Sequence, residues 1–138
     1  MTLWLGVVSA EHVRRGVTLG IAQVGHGKHT GLVRMRVGDW LVYYSPRNQI
    51  GDASQLRAFT AIGEIVDDEI WQADEGDFKP FRRRVNYCQE AKETPIASLI
   101  GGLLLTQTPN WGYQLKRGLI SLSDQHFNLI RAAMLGGK

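Results

Sequence analysis

The chain has 138 residues, 43% of them apolar and 21% charged, with a formal net charge of +3 at neutral pH. That length fits one domain with a proper core and is short for two, and the composition excludes a disordered chain. A lone cysteine, Cys88, excludes an internal disulfide and a cysteine-built zinc site, and apolar runs such as "LIGGLLL" at 99–105 fall well short of the ~20 residues of a membrane span. The expectations are a single domain over residues 1–138, no membrane attachment, no export leader at "MTLWLGVVS", and a reducing, cytoplasmic address.

In chain order, "LWLGVV" at 3–8 is an apolar, β-branched run that predicts a buried first strand. Ser9 stands where an N-cap belongs, ahead of a short helix "AEHVRR" with Gly16 as its C-terminal glycine. "LGIAQV" at 19–24 predicts a second short strand, after which Gly25, Gly27 and Gly31 call for a loop. "RVGDWLVYYSP" places a turn at Gly38 and Asp39, then a strand from Trp40 to Tyr44 that Ser45 and Pro46 stop. In "RAFTAIGEIV" at 57–66 a regular strand puts Phe59, Ala61 and Gly63 on one side and Ile62 on the other.

The second half continues the pattern. "PFRRRVNY" at 80–87 predicts a strand whose arginines alternate between a wet face and a contact. Thr94 and Pro95 suit the N-cap and first position of a short helix. The clearest helix comes last: Ser123 caps it, Leu122 and Phe127 form a hydrophobic staple, and Phe127, Ile130 and Met134 line one face. Strands joined by irregular loops, with short helices between and one at the end, predict an α+β fold: a small mixed β-barrel decorated by helices.

The modest net charge hides a segregation. Residues 64–77, "EIVDDEIWQADEGD", hold seven of the thirteen acidic residues and no Lys or Arg, leaving sixteen basic residues against six acidic ones elsewhere. A basic face turned toward a polyanion, with the acidic segment on the far side, would give this imbalance; so would an unevenly charged solvated surface. Arg14, Arg15, Lys28, Arg82, Arg83, Lys116 and Arg117 are the candidates for one such phosphate-contacting face.

"VGHGKHTGL" at 24–32 gathers two histidines, a lysine and three glycines. His26 and His29 lack a further strong ligand at zinc spacing, so no metal is expected. "GHGK" lacks the Ser or Thr that follows the lysine of a phosphate-binding P-loop. His12 or His26 could act as a general base, yet no Ser-His-Asp or Cys-His grouping can be read from the order of residues. Aromatic residues near loops, Trp4, Trp40, Tyr43, Tyr44, Trp71, Tyr87, Trp111 and Tyr113, suit stacking on nucleobases within a basic surround. Trp40, inside an apolar strand, reads as core, whereas Trp111 in "PNWGYQ" reads as an exposed loop ring.

"WLGVVSAEHV", "GIAQVGHGK", "GDWLVYYSP", "RAFTAIGEI", "PFRRRV" and "NWGYQLKRG", in this order over nearly the whole chain, resemble the EVE domain family, PUA-like proteins of the UPF0310 type. The resemblance implies a PUA-like mixed β-barrel related to YTH and PUA domains. It also implies a binding rather than catalytic role, in which a pocket accepts a flipped and often modified base of DNA or RNA. Gln23, His26, Gly27 and Lys28, as a Gln-x-x-His-Gly-Lys stretch, then border the pocket, with Lys28 able to meet a phosphate. Ser9 and His12 offer hydrogen bonds to a base edge, Tyr44 and Ser45 lie on the same rim, and Trp4 and Trp111 are the candidate stacking rings. No cofactor is implied, the partner is nucleic acid, and a monomer is expected. The alternatives are an enzyme or small-molecule binder of a nucleotide-like ligand using His12, His26 and Lys28, and an interaction module that regulates a partner enzyme.

Overall fold

A computed structural model of the chain describes residues 1–23, 29–49, 55–99 and 118–136. The apolar run near the start forms β1 (Leu3–Val7), which lies between two partners. On one side β3 (Trp40–Ser45) runs parallel to it, and on the other β7 (Leu119–Leu122) runs antiparallel. The parallel pairing follows from connectivity, because the chain crosses over between β1 and β3 through α1 (Ala10–Leu19), β2 (Ile21–Ala22) and α2 (His29–Arg34). Beyond β3 the sheet continues antiparallel through β4 (Ala58–Gln72) and β5 (Phe81–Tyr87) to β2, while β6 (Thr94–Pro95) pairs with the start of β4. The order is β2-β5-β4-β3-β1-β7 in a seven-stranded mixed sheet. The sheet is mixed and carries few helices, as expected, but the expected barrel does not close: among the described residues the edge strands β2 and β7 do not pair with each other. No described helix is long and apolar enough to cross a membrane.

Alternation along the strands sorts the core into two clusters, one on each face. Leu3, Leu5, Val42, Tyr44, Phe59 and Ile62 face α3 (Asp124–Met134), which buries Phe127, Ile130 and Met134 against them. Trp4, Leu41, Tyr43, Ala61, Ile65, Val85 and Tyr87 face the other way, toward Val13 of α1 and Leu32 of α2. Ser123 caps α3 as expected, its Oγ accepting from the His126 N–H at 3.2 Å.

Several local expectations need correction. Phe59 and Ala61 do not share a face, because Tyr44 pairs with Phe59 and Tyr43 with Ala61, so Thr60 is the extra residue of a β-bulge. The bulge carries Phe59 to the side of Ile62, and Thr60 Oγ1 is tied to Ser45 Oγ at 2.8 Å. Helix α1 runs past Gly16 to Leu19, and Gly20, with φ of 70°, supplies the left-handed C-cap. Gly31 lies within α2 rather than in a loop. Thr94 and Pro95 pair with Phe59 and Ala58 as a strand, which reduces the expected helix to a 3-10 turn over Ile96–Leu99.

Candidate functional site

The C-terminal ends of the parallel strands β1 and β3 lie side by side, with Val7 opposite Tyr44. Helix α1 springs from the end of β1, and its first free N–H groups, on Ala10 and Glu11, donate to the carbonyls of Arg47 at 2.9 Å and Asn48 at 2.8 Å. Those carbonyls do the work of a capping side chain. Ser9 therefore occupies the N-cap position without a capping bond, and its Oγ is buried with no partner among the described residues.

Beside this junction a small depression opens between α1 and the sheet. His12 and Gly16 from α1, Gln23 just after β2, and Tyr43 from β3 line it, with Val8, Val13 and Ile21 as its apolar wall. Two glycines make the geometry possible. A Cβ on Gly6 would stand 2.9 Å from Tyr43 Cε1, so the bare backbone of β1 leaves room for that ring, and a Cβ on Gly16 would meet the Ile21 carbonyl at 2.9 Å, so α1 sits close over β2. The Tyr43 hydroxyl donates to the Gln23 carbonyl at 3.1 Å and the Tyr87 hydroxyl to the Ile21 carbonyl at 2.7 Å, which ties the exit of β2 to the sheet. Burial pushes both phenols up, in Tyr87 with the help of Tyr43 beside it, so both stay protonated donors.

The Gln23 side chain is held as firmly as its backbone. Its Oε1 accepts from Arg82 Nε at 2.6 Å, Arg82 Nη2 is paired with Glu75, and the same Glu75 oxygen takes Arg15 Nη2 at 2.7 Å. Desolvation would raise the Glu75 carboxyl, but hydrogen bonds and charge from Arg82 and Arg15 hold it below its ordinary value. Nearby, Arg84 pairs with Asp67 at 3.1 Å and Glu69 at 3.5 Å and stacks over Trp71 at 4.9 Å. The acidic stretch 64–77 is thus not on the far side of the molecule. It continues β4 into the hairpin that pairs with β5, in a register that sets Trp71 opposite Arg82 and Ile70 opposite Arg83.

Further sequence expectations change here. Arg83 is only 2% exposed and donates to the carbonyls of Leu32, Met35 and Asp67, so it clamps the end of α2 to β4 and is not free to meet a phosphate. Trp4 is a core ring whose indole N–H donates to Asp39 at 2.9 Å, with Arg34 4.9 Å over its face, and it does not line the depression. Tyr44 packs on Phe59 in the opposite cluster, and Ser45 is fully buried against Thr60, so neither reaches the rim. Arg14 is surface-exposed and bonds Glu93 at 2.8 Å and Asn48 at 3.2 Å. Of the proposed set, the structure brings His12 and Gln23 together, with Arg15 and Arg82 alongside. His26, Gly27, Lys28, Trp111, Lys116 and Arg117 lie outside the described residues. Tyr43, counted among the aromatic residues but not assigned to the pocket border, also lines it; Gly6, its direct partner on the adjacent strand β1, is the signal that a large ring needs the space. Among the described residues no group of His, Cys, Asp and Glu gathers as a metal site.

A profile of the EVE domain matches residues 2–133. The chain belongs to the EVE domain family. A UPF0310 protein of Renibacterium salmoninarum is 50% identical to this EVE domain over 131 residues, covering 95% of this chain and 94% of its own. A UPF0310 protein of Streptococcus gordonii is 46% identical over 128 residues, covering 90% and 86%. Among solved structures, a protein of Pseudomonas putida superposes with a TM-score of 0.60 at 14% identity, covering 96% of this chain and 99% of its own. Human THYN1, solved in complex with DNA containing 5-methylcytosine, superposes with a TM-score of 0.56 at 12% identity, covering 94% and 95%. At such identities these two structures speak for the fold of the EVE domain alone.

Proposed function

We propose that this EVE domain binds nucleic acid and holds a single flipped, modified base in the depression between α1, the end of β2 and β3, without changing it chemically. The observation that carries the reading is the convergence of His12, Gln23 and Tyr43 on one concavity, with Arg82 bonded to Gln23 and Arg15 sharing its Glu75 partner. Polar groups with directional bonds suit a base edge, and a cationic flank suits the phosphates on either side of it. The Ser9 Oγ, without a partner among the described residues and one residue beyond the lining Val8, adds a polar atom that a ligand could satisfy. The DNA ligand of human THYN1, a protein of the same fold, supports a modified base as the class of ligand. In this reading Arg14 and Arg15 exchange their present partners for phosphate oxygens, while Arg82 stays on Gln23 and Glu75 and lends its charge to the flank. Lys28, Lys116 and Arg117 join Arg14 and Arg15, His26 and Gly27 border the base, and Trp111 stacks on it.

The test is fluorescence anisotropy with a labelled DNA oligonucleotide carrying one central 5-methylcytosine, its unmodified twin and the RNA counterpart, each titrated between about 50 and 200 mM salt. The expected result is tightest binding to a modified strand, an affinity that falls steeply with salt, and recovery of every strand unaltered by mass spectrometry. Failure of all three oligonucleotides to bind at any salt overturns the proposal. So does an altered base that disappears with His12→Ala, which would make the site catalytic.

A further inference from the structure

A glutamine amide has a donor end and an acceptor end of nearly equal size, and the end that faces a ligand decides which ligand atom is read. In this protein a neighbour fixes that choice. Arg82 Nε lies 2.6 Å from the Gln23 amide, and a guanidinium is permanently charged and can only donate. The atom of Gln23 facing Arg82 must therefore be the oxygen. Arg82 is itself held in place: its side chain is 14% exposed, its Nη2 is paired with Glu75, and its backbone sits in the sheet opposite Trp71. The backbone carbonyl of Gln23 is also occupied, by the Tyr43 hydroxyl at 3.1 Å. Both acceptors of Gln23 are used, and its side-chain Nε2 has no hydrogen-bond partner among the described residues.

From this geometry we infer that the Gln23 side chain offers the pocket a hydrogen-bond donor, and that the site selects a base turning an acceptor toward it, a carbonyl oxygen or an unprotonated ring nitrogen. A base presenting N–H at that point would set donor against donor. Arg82 is a positioning residue: it touches no ligand through this contact but orients the amide that does, and Glu75 in turn orients Arg82. The inference rests on the base-holding function proposed above and names the chemical edge that the pocket reads.

Gln23→Glu tests it, because glutamate keeps the size of the side chain and its bond to Arg82 while replacing the free donor by an acceptor. The readout is the ratio of affinities for two DNA oligonucleotides, one with a central 5-methylcytosine and one with an abasic site at that position. Any general effect of the added negative charge on phosphate binding cancels in this ratio. Wild type should favour the base-containing strand by about tenfold or more, the scale of a pocket whose polar groups are matched. Gln23→Ala should lose part of the ratio, and Gln23→Glu should lose all of it, with both variants folded by circular dichroism. That order is the discriminating result, since a purely structural role would make glutamate, which still pairs with Arg82, the milder change. A ratio retained in Gln23→Glu, or lost more in Gln23→Ala than in Gln23→Glu, overturns the inference alone. Equal wild-type affinity for the two strands overturns the base-holding function and the inference with it.

Discussion

Tyr43 and Tyr44 are neighbours in β3 whose side chains lead to different faces of the sheet. Tyr44 packs against Phe59 with ring centroids 5.5 Å apart, in a cluster completed by Phe127, Ile130 and Met134 of α3. Tyr43 turns toward α1, lies over Gly6 and places its hydroxyl on the Gln23 carbonyl. The contrast extends over both faces. Under α3 the core is held by apolar contact, whose strength follows buried area and packing. Under α1 and α2 large side chains are buried with their polar ends engaged: Trp4 on Asp39, Tyr87 on Ile21, and Arg83 on the carbonyls of Leu32 and Met35. Polar satisfaction fixes orientation as well as burial, so the second face can hold the amide of Gln23 in one setting. The α3 face supplies stability and the α1 face supplies geometry.

The largest effect expected from this division is at Phe59. Phe59→Ala opens a cavity in a residue that is 1% exposed and should cost about 3–5 kcal/mol in urea unfolding, while the folded fraction keeps its oligonucleotide affinity. A loss of affinity larger than the unfolded fraction explains would erase the division between the faces.

Asp39 comes next. Its carboxylate accepts from the Thr2 and Arg36 N–H groups and the Trp4 indole, all at 2.9 Å. Removing it in Asp39→Ala should cost about 1–3 kcal/mol for the stranded indole N–H alone. Burial by itself would raise this carboxyl, but the three hydrogen bonds more than offset that and hold it below its ordinary value of 3.8. A folded pKa below the unfolded one gives stability that is complete above the unfolded value and lost as pH falls through the folded one. The stability gap between wild type and Asp39→Asn should therefore be constant near neutrality and shrink below about pH 4. A gap unchanged down to pH 2–3 would show that the carboxylate charge is not what holds the turn, on the ~3.9 reference scale.

Smaller effects separate geometry from stability. Tyr43→Phe removes one hydrogen bond and should cost about 0.5–1.5 kcal/mol of stability, with a clear loss of affinity for the 5-methylcytosine strand because the exit of β2 is untied. Unchanged affinity would mean that Gln23 is held by Arg82 alone. The smallest change lies outside both faces. Arg14 and Glu93 form a solvent-exposed pair, so Glu93→Gln should alter stability by only ~0–1 kcal/mol, and freeing Arg14 should raise oligonucleotide affinity slightly at low salt.

Much of this organisation was legible from local pattern. The apolar run in "WLVYYS", set between the Gly38-Asp39 turn and Pro46, marks β3, and Ser123 with the spacing of Phe127, Ile130 and Met134 marks α3, because each signal lies within a few residues. The misreadings share one cause, partners distant in sequence. Ser9 has the identity of a cap, but the carbonyls of Arg47 and Asn48 reach its helix first. Thr60 gives no local sign of being a bulge; the extra residue shows only in the pairing with β3, where its hydroxyl meets that of Ser45. Three consecutive arginines in β5 look alike in sequence, yet Arg82 orients an amide, Arg83 is buried on carbonyls and Arg84 is a surface partner of Asp67. The family pattern pointed to His12 and Gln23, and the bond joining Gln23 to Arg82 spans 59 residues, beyond any local rule.

The most direct measurement is a two-dimensional 15N–1H NMR titration of the wild-type protein with the 5-methylcytosine oligonucleotide, using the abasic strand as reference. The expected result is a set of shifts specific to the base on the amides of His12, Gly16, Gln23 and Tyr43 and on the Gln23 side-chain NH2, with Phe127, Ile130 and Met134 silent. Base-specific shifts concentrated on the α3 face, or identical shifts with both strands, would contradict a base held on the α1 face.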